Sequence, residues 1–334
     1  MKVVFDAVDG ETRALFEREL TGHELVFLEG PVTPESLAAV PDAEVLSVFV
    51  SSPLSKECLQ ALPKLRAVAA RSTGYDHIDL AAAKAQHIVI TNVPVYGART
   101  IAEYSFALML ALSRKAYAAY DRLRRDGTTD VKDYEGFDLA GKTLGIIGTG
   151  HIGKNVARIA QGFAMRIIAF DPHPDAAFAK ETGCTFLPLP ALVAESDIVT
   201  IHVPYLPATH HLIDAALLAK FKAGSFLINT ARGGIVDTPA LVRALQGGHL
   251  AGAGLDVLEG ERELLDETSL LSDDHHDIKE FRILVADHAL VDMQNVIVTP
   301  HIAFNTKEAK HEILTTACEN IRAFASGKPV HVVS

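Results

Sequence analysis

Short apolar runs alternate with helix-like stretches along the whole of this 334-residue chain, and no other feature restricts its possible folds as strongly. Such alternation is typical of parallel β-sheets, in which a helix returns the chain to the start of the next strand. The strand-like runs are uniformly apolar, as expected when helices cover both faces of a sheet. At roughly 100–200 residues per domain, the length predicts two α/β domains.

The first half of the chain contains five strand-like runs with helical stretches between them. Five such units predict a small doubly wound, parallel-sheet domain of the flavodoxin-like kind. A longer helical pattern with a broad apolar face then covers residues 98–119, and we expect it to link this domain to the next. The five runs are Val3–Phe5, Glu24–Leu28, Val45–Val50, Leu65–Ala70 and Ile88–Thr91.

The second half of the chain begins a new series of strands, and six of them fit a doubly wound Rossmann sheet. The last helix, Lys307–Ala325, ends before Gly327 and Pro329, and we expect it to return to the first domain. The six runs are Thr143–Ile147, Arg166–Phe170, Ile198–Ile201, Phe226–Asn229, Gly252–Leu255 and Val296–Val298.

One insert interrupts this series. The segment Glu263–Gln294 is charged and lacks a clear period. It contains the acidic and histidine cluster Asp273–Asp277, whose spacing matches no established metal-ligand pattern, so the cluster is predicted to be a surface loop or a helix end. The pair His210-His211 is interpreted in the same way, and no metal site is predicted.

The segment Gly148–Gly153 has the pattern Gly-x-Gly-x-x-Gly and stands between a predicted strand and a helix that starts at His151. This context is that of the dinucleotide-binding loop. In that loop one glycine allows a tight turn, the next lets the backbone approach a pyrophosphate, and the third lets helix and strand pack closely. These roles fall to Gly148, Gly150 and Gly153, with His151 and Ile152 offering backbone N–H groups to the diphosphate.

The next strand ends at Asp171, about 20 positions beyond the glycine motif, where an acidic residue hydrogen-bonds ribose hydroxyls. A carboxylate there repels a 2′-phosphate, which favours NAD over NADP as the cofactor. Residues 98–304 are therefore predicted to form the NAD-binding Rossmann domain. Residues 1–97 and 305–334 are predicted to form a discontinuous substrate (catalytic) domain.

Three side chains that follow separate strands of the second domain have complementary chemistry. Reduction of a ketone beside a carboxylate needs a cation to bind that carboxylate, and arginine can do so bidentately. It needs a proton donor that works near neutral pH, and histidine is suited to this task. It also needs a carboxylate to orient that histidine. Arg232, His301 and Glu261 supply these three groups.

Composition restricts the partners. The net charge of −11 and the lack of a basic run argue against nucleic acid. No uncharged apolar run reaches the ~20 residues that span a membrane, and no signal-peptide pattern is present at the start. We therefore expect a cytoplasmic protein. Cys58, Cys184 and Cys318 lie far apart, so we expect separate thiols rather than disulfides or a metal site.

Along nearly its whole length the sequence resembles the D-isomer-specific 2-hydroxyacid dehydrogenase family. That resemblance implies NAD-dependent, reversible reduction of a small 2-keto acid to the D-2-hydroxy acid. The matching segments are Arg71–Asp79, Gly148–Gly153, His202–Pro204, Asn229–Asp237, Gly254–Glu261 and Thr299–His301.

The resemblance also assigns roles to individual residues. It implies that Arg232 and His301 are catalytic, and that Glu261 rather than Glu259 pairs with His301. It places the substrate carboxylate on backbone N–H groups of the loop that carries Thr73 and Gly74. Further cofactor contacts are implied for Val203, Pro204, Thr209, Thr230, Ala231 and Asp256.

Within the family, the sequence is most similar to D-lactate dehydrogenases. Tyr96 and Phe304 stand where those enzymes border their substrate. In one departure, Ser51 and Ser52 stand where the lactate enzymes often carry an aromatic residue. A pocket without that ring would admit a larger or more polar side chain.

Two other functions remain open at this stage. One is another D-2-hydroxyacid dehydrogenase, acting on glyoxylate or hydroxypyruvate. The other is an NAD-sensing binding protein of the corepressor type, and a panel of keto acids with NADH would distinguish it from an enzyme. The family implies a homodimer. The helical segment Thr100–Leu112 is expected to pack either against a second copy or within its own domain.

Overall fold

The computed structural model describes residues 1–127, 129–261 and 278–333, and the chain divides into two compact units. The first unit comprises Met1–Gly97 and Asn305–Ser334. The second unit comprises Ala98–Phe304. Each unit has its own sheet, and every strand pair in both sheets is parallel.

The sheet of the first unit has five strands in the order β2-β1-β3-β4-β5, which is the flavodoxin-like order and confirms the predicted fold class. The predicted third strand is too long, because the observed one ends at Val48 instead of Val50. The strands are β1 (Lys2–Phe5), β2 (Glu24–Phe27), β3 (Val45–Val48), β4 (Ala67–Ala70) and β5 (Val89–Thr91).

Helices cover both faces of this sheet. The helices Gly10–Glu19 and Lys307–Ala325 bury Phe16 and Ile321 against one face. Three short helices pack on the other face, where Leu46 belongs to the core. Burial on both sides explains why the strands read as apolar runs. The short helices are Pro34–Ala38, Lys56–Gln60 and Leu80–Ala85.

The sheet of the second unit has seven strands in the order β12-β11-β10-β9-β6-β7-β8. Counted within the unit this is 7-6-5-4-1-2-3, the Rossmann order with one strand added. The sequence predicts only six strands because β8 has two residues and so lacks an apolar run. The strands are β6 (Thr143–Ile147), β7 (Arg166–Phe170), β8 (Thr185–Phe186), β9 (Ile198–Ile201), β10 (Ser225–Asn229), β11 (Leu250–Leu255) and β12 (Val296–Val298).

The helices of the second unit differ from prediction at 98–119, which is not one helix. The chain forms Ala98–Ser113 and Ala116–Asp126, with Lys115 between them at a φ of 48°. The carbonyl of Ser113 accepts a hydrogen bond from Phe137 N at 2.9 Å instead of continuing the helix. The remaining helices include His151–Gly162, Ala176–Thr182, Leu189–Glu195, Ala215–Leu218, Thr238–Gln246 and Ile278–Asp292.

The last part of the insert Glu263–Gln294 packs into the core of the second unit. Ile278–Asp292 is a helix, and Ala286 and Leu290 on it belong to the core of the second unit. The cluster Asp273–Asp277 lies outside the described residues. Within residues 1–127, 129–261 and 278–333, no group of three or more His, Cys, Asp or Glu is placed to hold a metal. No helix of the described residues is long and apolar enough to cross a membrane.

Candidate active site

One row of paired residues crosses six strands of the second sheet close to their carboxyl ends. The row joins the strands in register, from Phe170 through Ile147, Ile201, Asn229 and Leu255 to Val298. Almost every predicted site residue of this unit comes just after it. Because all strands are parallel, these residues emerge at one edge of the sheet, where ligands of doubly wound folds bind.

Positions relative to this row show how the site is assembled. Gly148 and Asp171 each come one residue past it, on neighbouring strands. Arg232 and His301 each come three residues past it, after β10 and β12 respectively. Only β11 separates those two strands, and neighbouring strands lie about 4.8 Å apart. Asp256 and then Glu261 follow β11, so the three predicted catalytic residues come after three adjacent strands.

The glycine loop passes close to the end of β9. Gly148 has a φ of 95°, and a Cβ atom on it would lie 2.6 Å from the carbonyl oxygen of His202. Gly153 is equally constrained, since its Cβ would lie 2.0 Å from the carbonyl oxygen of Gly148. The His202 ring accepts or donates one hydrogen bond, at 2.9 Å to Thr200 Oγ1. Burial lowers the pKa of His202 to about 3, so this ring stays neutral.

The helix His151–Gly162 begins at this loop with its backbone N–H groups available to a ligand. Its N-cap, Gly150, makes no side-chain capping bond, and a Cβ there would meet nothing within 4 Å. His151 is exposed and Ile152 half-buried, so their backbone rather than their side chains serves the loop. An open, positively polarised helix end beside tightly packed glycines fits a dinucleotide pyrophosphate.

Asp171 also stabilises the glycine loop. Its Oδ2 accepts hydrogen bonds from Thr149 N and Thr149 Oγ1, both at 2.8 Å, and its Oδ1 accepts one from His173 N at 2.9 Å. Partial burial tends to raise the pKa of Asp171, but these hydrogen bonds lower it below its usual value. The carboxylate is therefore ionised, and its charge suits ribose hydroxyls better than a phosphate.

The segment after β9 closes into a loop through Thr209. Its Oγ1 donates to the carbonyl of Pro204 at 2.7 Å and accepts from Leu206 N at 2.8 Å. Pro204 is exposed and Val203 half-buried. The side chain that sequence analysis assigned to the cofactor is thus engaged in shaping the loop.

Arg232 lies on a loop that Asn229 holds from both sides. Asn229 Oδ1 accepts from Ala231 N at 3.0 Å, and Asn229 Nδ2 donates to the carbonyl of Arg232 at 2.9 Å. Thr230 is buried, and its Oγ1 is 3.1 Å from Ser105 Oγ. The half-buried guanidinium of Arg232 donates from Nη1 to the carbonyl of Ala231 at 2.8 Å. The loop is therefore fixed before any ligand binds.

Asp256 anchors the segment that leads to His301. Its Oδ1 accepts from Thr299 Oγ1 at 2.6 Å and from Ile302 N at 3.0 Å, and its Oδ2 accepts from Ala303 N at 2.8 Å. Burial raises the pKa of Asp256 above its usual value, although these hydrogen bonds oppose the shift. The sequence prediction gave this residue a cofactor contact, and the structure adds a positioning task.

His301 and Glu261 form a hydrogen-bonded pair. Nδ1 of His301 lies 2.9 Å from Oε1 of Glu261, and both side chains are partly exposed. His301 has a φ of 52°, an uncommon conformation for a residue with a side chain, and its N–H donates to the carbonyls of Asp256 and Thr299. Among the described residues, Nε2 of His301 has no hydrogen-bond partner. Phe304 packs edge-on to the ring at 6.3 Å.

A second histidine–carboxylate pair lies beside the first, and sequence analysis missed it. Glu259 Oε1 lies 2.6 Å from His211 Nε2, so the structure pairs Glu261, and not Glu259, with His301. The ring of His211 stacks on that of His210 at 3.9 Å, and His210 Nδ1 is 3.0 Å from the hydroxyl of Tyr205. Both histidines lie in a turn, where His210 is exposed and His211 is half-buried.

The predicted substrate loop of the first unit has an unusual distribution of hydrogen bonds. Three successive carbonyls accept protein donors: Ser72 from Val93 N, Thr73 from Asn92 Nδ2 and Gly74 from Ser72 Oγ, at 2.6–3.0 Å. The N–H groups of Thr73 and Gly74 donate to no acceptor among the residues that the structure describes. Two such donors on a fixed loop suit an anion. Tyr96 comes shortly after β5 in the same unit and is half-buried.

Comparison with known proteins assigns the chain to a family. The family model described as the NAD binding domain of D-isomer specific 2-hydroxyacid dehydrogenase matches residues 106–303. The D-lactate dehydrogenase of Escherichia coli is 36% identical over 312 residues, which are 93% of this chain and 92% of that protein. This chain therefore belongs to the D-isomer specific 2-hydroxyacid dehydrogenase family, and its cofactor is NAD.

Relatives of different substrate class are about equally similar. The glycerate dehydrogenase of Methylorubrum extorquens is 36% identical over 338 residues, covering 99% of this chain and 98% of that protein. The solved structure of Aquifex aeolicus D-lactate dehydrogenase, complexed with NAD and lactic acid, has a TM-score of 0.85 and 34% identity. It covers 99% of this chain and 100% of that one.

Proposed function

We propose that this dehydrogenase reversibly reduces pyruvate, or a close relative of it, to the D-2-hydroxy acid. The observation that carries the proposal is the pair His301–Glu261, with Nδ1 at 2.9 Å from the carboxylate and Nε2 left for another partner. Arg232 lies at the matching position after β10, three residues past the same row of the sheet. A base, its orienting carboxylate and a cation thus share one sheet edge.

In the proposed mechanism each of these residues has one task. Bound NADH supplies a hydride to the keto carbon, and NAD⁺ accepts it in the reverse direction. His301 donates a proton from Nε2 to the carbonyl oxygen as negative charge develops there. Glu261 accepts a hydrogen bond from the Nδ1–H of the doubly protonated ring and so orients it, while the proton on Nε2 is the one transferred. Arg232 binds the substrate carboxylate and polarises the neighbouring carbonyl.

The other residues assigned from the sequence keep their roles in this proposal. Thr73 and Gly74 bind the substrate carboxylate through backbone N–H groups, and Tyr96 and Phe304 border its side chain. Among the residues that the structure describes, these two N–H groups have no acceptor while the carbonyls of residues 72–74 are engaged, and this supports the assignment. Asp171 binds the adenine ribose hydroxyls. The glycine loop contacts the cofactor through Gly148, Gly150, His151, Ile152 and Gly153. The segments that follow β9, β10 and β11 contribute the remaining cofactor contacts: Val203, Pro204, Thr209, Thr230, Ala231 and Asp256.

Ser51 and Ser52 favour one alternative substrate class. Ser52 is fully buried and its hydroxyl accepts a hydrogen bond from Val32 N at 3.1 Å, whereas Ser51 is exposed. Ser51 is therefore the member of the pair that could border a ligand. A small polar residue there would tolerate hydroxypyruvate, and the similarity to a glycerate dehydrogenase supports the same alternative.

A keto-acid panel tests both possibilities. We expect NADH oxidation with pyruvate, glyoxylate and hydroxypyruvate, and the highest kcat/KM with pyruvate. If kcat/KM were highest with hydroxypyruvate, the protein would be assigned as a hydroxypyruvate reductase instead. NADH binding without turnover of any keto acid would refute the enzyme proposal and favour an NAD-sensing protein.

We also propose a homodimer, and we assign its contact to the helix Ala116–Asp126. Tyr117, Tyr120 and Leu123 recur every three residues on one side of this helix, and their relative exposures are 59%, 59% and 50%. The preceding helix buries Phe106, Leu108 and Met109 in its own unit, so its wide apolar face needs no second copy. Sedimentation of Tyr120→Asp should show a monomer where the parent chain is dimeric, and an unchanged dimer would refute this contact.

A further inference from the structure

We propose that His331, Asn320 and Asn92 are positioning residues that hold the N–H groups of Thr73 and Gly74 for the substrate carboxylate. The inference rests on the proposed function of that loop. It concerns a chain of hydrogen bonds within the first unit, which starts at the C-terminal segment and ends at the loop. None of the three residues touches the reacting atoms.

The chain begins with the side chain that fixes the loop. Asn92 follows β5, is almost fully buried, and donates from Nδ2 to the carbonyl of Thr73 at 2.8 Å. Thr73 Oγ1 in turn donates to the carbonyl of Val93 at 2.7 Å, so the loop is held to the end of β5 at two points. Since those bonds engage oxygen atoms, the neighbouring N–H groups remain available for an anion.

Asn320 continues the chain from the buried side of the helix Lys307–Ala325. It is 1% exposed, and its Nδ2 donates to the backbone carbonyl of Asn92 at 2.8 Å. Its Oδ1 lies 2.8 Å from His331 Nδ1. An amide oxygen can only accept, so Nδ1 of His331 must carry the proton in this bond. Protonation of the other ring nitrogen would leave the bond intact.

The C-terminal segment holds His331 in place by pairing with the edge of the sheet. Asn92 N donates to the carbonyl of His331 at 3.1 Å, and Val333 N donates to the carbonyl of Ile90 at 2.9 Å. Thr91 and Val332 form an antiparallel bridge between these two bonds. His331 itself has a φ of 53°, which asparagine tolerates better than most residues. His331 therefore contacts Asn92 directly through its backbone and indirectly through Asn320.

These contacts predict a specific kinetic consequence. Loss of the side-chain bond at residue 331 should loosen Asn320, then Asn92, and finally the loop that offers its N–H groups. The glycine loop and Asp171 lie in the other unit, so cofactor affinity should not change. A rise in the KM for the keto acid with unchanged NADH affinity would distinguish a positioning role from general destabilisation of the protein.

The test compares His331→Leu with His331→Asn, whose side-chain amide can donate to Asn320 at a similar distance. We expect His331→Leu to raise the KM for pyruvate about five- to tenfold, the effect of losing one hydrogen bond, with NADH affinity unchanged. His331→Asn should restore a KM close to that of the parent chain. Val332→Ala is the matched control, because Val332 is 46% exposed and its side chain takes no part in the chain of bonds.

Hydrogen exchange gives a readout that does not depend on turnover. In His331→Leu the peptide containing residues 72–74 should exchange faster than in the parent chain, and in Val332→Ala it should not. An unchanged KM and unchanged exchange in His331→Leu would refute the inference. A fall in NADH affinity equal to the rise in KM would refute it too, because it would indicate general destabilisation. A parent chain that reduces no keto acid refutes the proposed function instead.

Discussion

The second unit contains two histidine–glutamate pairs, His301–Glu261 and His211–Glu259. They differ in which nitrogen of the histidine ring the carboxylate contacts. Glu261 approaches His301 at Nδ1, which leaves Nε2 for another partner. Glu259 approaches His211 at Nε2, and the ring of His211 stacks on that of His210. The two glutamates are only two residues apart in the chain. Similar chemistry therefore supports two different roles within one short segment.

The glutamates of the two pairs also differ in burial. The side chain of Glu259 is 9% exposed and that of Glu261 is 32% exposed. Glu259 also accepts a hydrogen bond from Thr238 N at 3.3 Å, at the start of a helix. His211 N donates to the carbonyl of Gly234 at 2.9 Å, which links this pair to the loop that carries Arg232. We infer that Glu259–His211 supports the site while Glu261–His301 acts in it.

Alanine substitution of the two histidines should give the largest contrast. His301→Ala removes the proton donor and should lower kcat by about 10²–10⁴-fold, the usual contribution of general acid catalysis. His211→Ala should retain most of the turnover and lose stability instead. Steady-state kinetics and thermal unfolding of both variants check this. Equal losses of kcat would end the distinction between an acting pair and a supporting pair.

Gly233→Ala should disturb both pairs at once. A Cβ on Gly233 would lie 2.0 Å from the backbone carbonyl of Leu258, immediately before the two glutamates. Either the Arg232 loop or the 258–261 segment must shift, which should cost roughly 1–3 kcal/mol of unfolding free energy. The measurement is denaturant unfolding together with the KM for pyruvate.

Gly162→Ala is the control for that substitution. Gly162 ends the helix that follows the glycine loop, and a Cβ there meets nothing within 4 Å. It should leave stability unchanged or slightly raised, since alanine is the better helix former. If Gly233→Ala kept the stability and the KM of the parent chain, the Arg232 loop and the 258–261 segment would not constrain each other.

Glu261→Gln should have an intermediate effect. The amide can still accept from Nδ1, but the hydrogen bond is no longer charge-assisted, and a loss near 1.4 kcal/mol corresponds to about tenfold in kcat. Glu259→Gln is the matched variant two residues away, and its kcat should stay close to that of the parent chain. A larger fall in kcat with Glu259→Gln would reverse the assignment of the two glutamates.

Much of the second unit could be predicted because its signals are local. The glycine motif, Asp171 and the catalytic candidates each stand at a set distance past a strand that is itself a plain apolar run. The parallel sheets and the Rossmann and flavodoxin-like orders follow from the same alternation of strands and helices. For these residues, the spacing along the chain is enough to predict the position in the fold.

The features that were missed depend on partners distant in the chain. The helix break at Ser113 is set by Phe137, and β8 is recognisable only because β7 lies beside it. The pair His211–Glu259 joins residues 48 positions apart, and Asn320 meets Asn92 across 228 positions. Neither contact has a periodic signal, so only the folded chain reveals it.

The smallest expected effect is that of a substitution at Tyr205, which contacts His210 next to the pair His211–Glu259. Tyr205→Phe removes the hydroxyl that lies 3.0 Å from His210 Nδ1, but it keeps the ring that lies against Gly234. The bond is exposed to solvent, so its loss should cost about 0.5 kcal/mol of unfolding free energy, the low end for a hydrogen bond. Kinetic constants should not change, because the substitution leaves the hydrogen bond between His211 and Glu259 in place. If kcat fell in Tyr205→Phe while stability did not, Tyr205 and His210 would belong to the acting part of the site, and the division drawn between the two pairs would be misplaced.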